Sequence, residues 1–96
     1  MKIICGVHGG QSGIEISPDL LPLLKGMEST RVTSKRVRFL FEDEAYWDTV
    51  LTQEFCRKHA IPYQDEVPAT EKEPHWSKEL AAACRLCVEE RLKMKL

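Results

Sequence analysis

Apolar positions alternate with polar ones in some stretches of this chain and recur at helical spacing in others. The clearest alternation runs over 35–42 (KRVRFLFE), where Val37, Phe39 and Phe41 share one face and Arg36, Arg38 and Leu40 the other, predicting a half-buried strand. Residues 2–8 (KIICGVH) and Ile14-Glu15-Ile16 read as two shorter strands. The glycine-dense Gly9-Gly10-Gln11-Ser12-Gly13 between them predicts a turn, making the pair a hairpin.

Helical signals follow in three places. Ser17-Pro18-Asp19 supplies a capping residue, a first-turn proline and an acid for the positive end of the dipole; Pro22 and Gly26 keep the resulting helix short. After a polar connector at 27–34, Trp47, Val50, Leu51 and Phe55 stand at helical spacing and predict a helix over about 43–59. Ile61 to Asp65 reads as a short edge strand and the charged stretch 66–73 as a loop. A final helix is expected from Pro74 or Ser77 to Met94, with Arg91, Lys93 and Lys95 at its negative end. The order ββαβαβα over 1–96 predicts a single α+β domain, with a mixed or mostly antiparallel four-stranded sheet and helices packed on it.

Charged residues at 30% and apolar ones at 43% fit a folded chain of this size, and a formal net charge of −1 gives no global attraction to nucleic acid or to an anionic membrane. No run of apolar residues is long enough to span a bilayer and no signal peptide is visible, so the expected setting is the cytoplasm, with thiols kept reduced and no structural disulfide.

The candidate chemistry is carried by cysteine and histidine. Cys5 stands three residues before His8, Cys56 three before His59, and Cys84 three before Cys87. This spacing is half of a structural zinc site, which makes zinc the one cofactor these residues suggest. Each pair also has a plainer reading. In a strand, Cys5 and His8 point to opposite faces and converge only if the chain bends at Gly6, as in a metal knuckle. On the predicted last helix, Cys84 and Cys87 lie in an apolar stripe with Trp76, Leu80, Ala83 and Val88, where a thiol packs as a small hydrophobe. Cys56 and His59 are least explained by packing, so Cys56, His59, Cys84 and Cys87 form the candidate ligand set, on condition that the last helix meets the flank of the second.

Two other surfaces are candidates. His8, Gly9, Gly10 and Ser12 form a loop able to present backbone N–H groups to a phosphate, although it lacks the Gly-Lys-Ser/Thr ending and a following helix. Arg31, Lys35, Arg36 and Arg38 form the one local basic patch, balanced at once by Glu42, Asp43 and Glu44, which disfavours nucleic acid and favours an acidic protein surface. No catalytic constellation stands out. The leading expectation is therefore a non-enzymatic protein that binds a protein partner through Lys35, Arg36, Arg38 and Arg31, as an inhibitor or accessory factor of mobile-element type. The alternatives are a zinc-stabilised module and a small-ligand or phosphate binder or enzyme using the glycine loop. Leu86 and Leu92, outside the apolar stripe, leave room for a homodimer.

Overall fold

The computed structural model describes residues 2–26, 32–71 and 73–96. Its elements are β1 (Lys2–Cys5), β2 (Gly9–Ile16), a 3-10 turn (Pro18–Leu20) leading into α1 (Leu21–Leu24), β3 (Ser34–Leu40), β4 (Tyr46–Thr52), α2 (Gln53–Lys58), β5 (Glu66–Pro68), a 3-10 helix (His75–Glu79), β6 (Ala81–Cys84) and α3 (Arg85–Leu92). The α+β class holds. The sheet has six strands rather than four, in the order β1-β2-β4-β3-β5, with β6 also paired to β2. It is mixed: β2–β4 and β3–β5 are parallel, while β1–β2, β2–β6 and β3–β4 are antiparallel.

The largest departure from the sequence pattern is β4, where a helix over 43–59 was expected. Val50 and Leu51 are consecutive, fully buried residues that enter different core clusters. Successive side chains of a strand point to opposite faces, so a strand covered on both sides shows a continuous apolar run in place of alternation. The turn before it is tight. Ala45 N–H donates to the Asp43 carboxylate, Glu44 takes a positive φ of 66°, and the β3–β4 hairpin then pairs from Leu40↔Tyr46 to Ser34↔Thr52. Only the end of the expected helix is helical. Thr52 opens α2 as its cap, its Oγ1 accepting from Phe55 N–H at 3.1 Å.

The expected last helix is likewise divided. Ala81, Ala82 and Ala83 are strong helix formers, yet they are extended and pair with Ile16, Glu15 and Ile14 of β2. Tertiary pairing overrides a weak local preference here. Over 61–65 no strand forms; β5 follows at 66–68, within the stretch expected to be a loop. It lies at the sheet edge, where Pro68 has no N–H to offer an added strand.

The two sheet faces carry two cores. On one, Val37, Phe39, Leu51 and Val67 pack under Phe55 and Cys56 of α2 and under Trp76. Trp76 meets Phe39 at 5.4 Å and Phe55 at 6.1 Å between ring centroids and stacks on Trp47 at 5.6 Å. On the other face, Ile14, Ile16, Val50 and Ala83 pack against Leu20 and against Val88 of α3. Among the described residues, neither core draws on residues 2–13.

Candidate metal centre

Residues 2–13 of the β1–β2 hairpin place no side chain in either core. Ile4 is 91% and Val7 81% exposed. Cys5 ends β1, residues 6–8 form the turn, and Gly9 restarts the chain at a φ of +73°, a conformation glycine adopts without penalty. The bend carries His8 back over Cys5, which a straight strand would forbid. Its ring Nδ1 lies 3.6 Å from Cys5 Sγ. Val7 N–H donates to the same sulfur at 3.4 Å, and Gln11 Nε2 donates to the His8 carbonyl at 3.0 Å, fixing the turn.

The second half of the centre comes from the β6–α3 junction. Cys84 is the last strand residue and the extended residue from which α3 starts; Cys87 lies in the first turn. A strand-to-helix change between them aims both sulfurs at the hairpin. His8 Nδ1 is 3.6 Å from Cys84 Sγ and 3.5 Å from Cys87 Sγ, and Cys5 Sγ is 3.4 Å from Cys87 Sγ. All four donor atoms lie within 4.8 Å of one another. A tetrahedron with Zn–S near 2.3 Å and Zn–N near 2.0–2.1 Å has S···N edges of about 3.6 Å and S···S edges of about 3.8 Å. The three sulfur–nitrogen distances match that edge, and the Cys5–Cys87 sulfur–sulfur distance of 3.4 Å is shorter than its edge. Three thiols and one imidazole form the donor set that zinc takes in closed, four-coordinate sites.

Hydrogen bonds from the backbone N–H groups of His8 and Val7, followed by those from the His8 ring and Cys87, lower the Cys5 thiol to about 6. Burial, then the neighbouring thiols Cys5 and Cys84, push Cys87 up to about 12. The Glu90 carboxylate, then Cys5, raises His8 to about 9. A divalent ion would displace the remaining protons and satisfy all three sulfurs together.

Glu90, on α3, supplies the outer partner. Its Oε1 is 2.9 Å from His8 Nε2, which fixes the ring with Nδ1 turned toward the sulfurs. A ligating histidine held through its other nitrogen by a carboxylate is the usual support for a metal site, worth about 10–100-fold in affinity. Glu90→Gln is therefore expected to weaken zinc binding by about that factor while leaving one site per chain at saturating metal. Competition with a chromophoric chelator measures it, and an unchanged affinity would show that Glu90 holds nothing.

Of the candidate ligands named from the sequence, Cys84 and Cys87 come together with Cys5 and His8, and not with Cys56 and His59. Cys56 lies in the core beneath α2, where burial pushes its thiol up to about 11. His59 packs on Phe55 with ring centroids 4.6 Å apart; its buried Nε2 is 3.1 Å from Glu79 Oε2 without hydrogen-bond alignment. In the glycine loop, His8 is turned to the sulfurs and Glu90, Gly9 and Gly10 belong to β2, and Ser12 pairs with Lys2. The basic patch is largely engaged within the chain. Arg38 donates to Asp48 through two nitrogens at 2.8 and 3.2 Å and lies over Tyr46, while Lys35 pairs with Asp65 at 3.3 Å and lies over Tyr63. Arg36 is half-buried opposite Val50, and Arg31 lies outside the described residues.

Sequence reasoning found the two pairs of this centre separately, together with the bend at Gly6 that the first requires. It did not find Glu90, an acid on the predicted last helix with no signal that distinguishes it from its neighbour Glu89. No family model, curated protein or solved structure matches the chain. Among the described residues, no helix is long and apolar enough to cross a membrane.

Proposed function

We propose that this protein is a zinc-stabilised module that binds a protein partner. The observation that carries the zinc reading is the near-tetrahedral set formed by Cys5, His8, Cys84 and Cys87, with S···N separations of 3.5–3.6 Å. Its role is structural. Four protein donors fill a tetrahedral ion, whereas catalytic zinc keeps a position open for water or substrate. The ion would tie residues 2–13 of the hairpin, which add nothing to either core, to the β6–α3 junction.

Protein binding is supported by what that tie presents. The two most exposed large apolar residues of the described chain, Ile4 and Val7, flank Cys5 on the hairpin. Holding them on a metal-fixed turn lowers the ordering cost of contact. The basic strand face has less to offer, because Arg38 and Lys35 already have acidic partners. A phosphate-binding loop is disfavoured by the Glu90 carboxylate beside His8.

Metal analysis of protein purified without chelator tests the zinc reading. One zinc per chain is expected, lost in Cys84→Ser. Clearly substoichiometric zinc that cannot be restored by adding the ion, or full zinc content in Cys84→Ser, would sink it.

A further inference from the structure

The four ligands are not equivalent toward an oxidant. Cys84 is buried, while Cys5 and Cys87 are partly exposed and their sulfurs are 3.4 Å apart. Cys56, the remaining thiol, is buried in the core away from this group. We propose that Cys5 and Cys87 form a peroxide-sensitive latch, in which oxidation expels the metal and replaces it by a disulfide that keeps the hairpin docked. The proposal rests on the zinc reading above and assigns that site its regulation.

The chemistry balances with hydrogen peroxide as the sole oxidant. The Cys5 thiolate attacks one peroxide oxygen, the O–O bond breaks, and the products are a Cys5 sulfenic acid and hydroxide. The Cys87 thiolate then attacks the Cys5 sulfur, the S–S bond forms, the S–O bond breaks and a second hydroxide leaves. Each hydroxide takes a proton from solvent, so the two sulfurs lose two electrons and the peroxide becomes two waters. Disulfide sulfurs are poor zinc ligands, and His8 and Cys84 are too few to hold the ion in a closed site.

The choice of pair decides the outcome for the fold. A Cys84–Cys87 bridge would close a loop within one junction and leave the hairpin free. A Cys5–Cys87 bridge joins residues 82 apart in sequence and holds the hairpin where zinc held it. The clamp is then closed in both redox states, by metal when reduced and by a covalent bond when oxidised.

The test uses the unmodified chain. Zinc content is measured before oxidant is added, so a protein that binds no zinc refutes the metal reading separately. Zinc-loaded protein is then treated with hydrogen peroxide in the presence of a chromophoric chelator, free thiols are alkylated, and peptides are mapped by mass spectrometry. Zinc release in proportion to a Cys5–Cys87 crosslink is expected, with Cys56 still alkylated and with zinc binding restored by dithiothreitol. Zinc retained at peroxide levels that oxidise a free-thiol control would overturn the proposal. So would Cys84–Cys87 as the main product, or sulfinic acid in place of any disulfide.

Discussion

Stripping the metal with a strong chelator is expected to release the hairpin and leave the two-faced sheet standing. Residues 2–13 lie outside both cores, whereas Ile14, Ile16, Val50 and Val88 on one face and Val37, Leu51, Phe55 and Trp76 on the other form cores that include none of Cys5, His8, Cys84 and Cys87. The hairpin's β1–β2 ladder is four residue pairs long, from Lys2↔Ser12 to Cys5↔Gly9. A two-stranded hairpin is marginal in water without a third strand or a buried face. Amide exchange followed by mass spectrometry should show rapid loss of protection in peptides covering 2–12 after chelation, with β3, β4 and α2 unchanged. The apparent stability gained from the ion follows mass action, about 4 kcal/mol when free zinc is a thousandfold above its dissociation constant. Uniform loss of protection across the chain would mean that the ion holds up the whole fold. No change in the hairpin would mean that it holds nothing.

Trp76→Ala should give the complementary result. Its indole stacks on Trp47 and touches Phe39 and Phe55, and only 7% of its surface is exposed. Truncation removes the ring through which the 3-10 helix covers its sheet face and opens a cavity between Phe39 and Phe55. Losses of about 3–5 kcal/mol are typical for such a change, a large part of the stability of a domain this size. Denaturant titration should show an earlier midpoint, and zinc in the surviving folded fraction should remain at one per chain, because none of Cys5, His8, Cys84 and Cys87 belongs to this cluster. A variant that keeps wild-type stability, or that loses zinc while still folded, would show that the two regions are not independent.

The same independence explains which parts of the fold and site were legible in the sequence. Local chemistry could be read directly. The Cys-x2-His and Cys-x2-Cys spacings, the bend at Gly6 that the first demands, and the alternation of Val37 and Phe39 all act within a few residues. What escaped depends on partners distant in sequence. Ala81 to Ala83 are extended because β2 lies beside them, so the apolar stripe that seemed to bury Cys84 with Cys87 on one helix does not exist. Thr49 to Thr52 lost their alternation because both faces of β4 are covered. With those two segments taken as helix, Cys84 and Cys87 pointed to the wrong neighbours, and Cys56 seemed the available partner. The pairing of β6 with β2 is what brings the β6–α3 junction to the hairpin.

The order in which the ligands occur along the chain sets a timetable for synthesis. Cys87 follows Cys5 by 82 residues, so at about 5–20 residues per second a ribosome delivers it roughly 4–16 s later. During that interval Cys5 and His8 would offer only two of the four donors of the proposed site, while β3, β4 and α2 can already pair and pack. Capture of the proposed ion would then wait until translation has passed Cys87. A nascent chain halted after β5 would carry most of its sheet and only two of the four proposed ligands, Cys5 and His8.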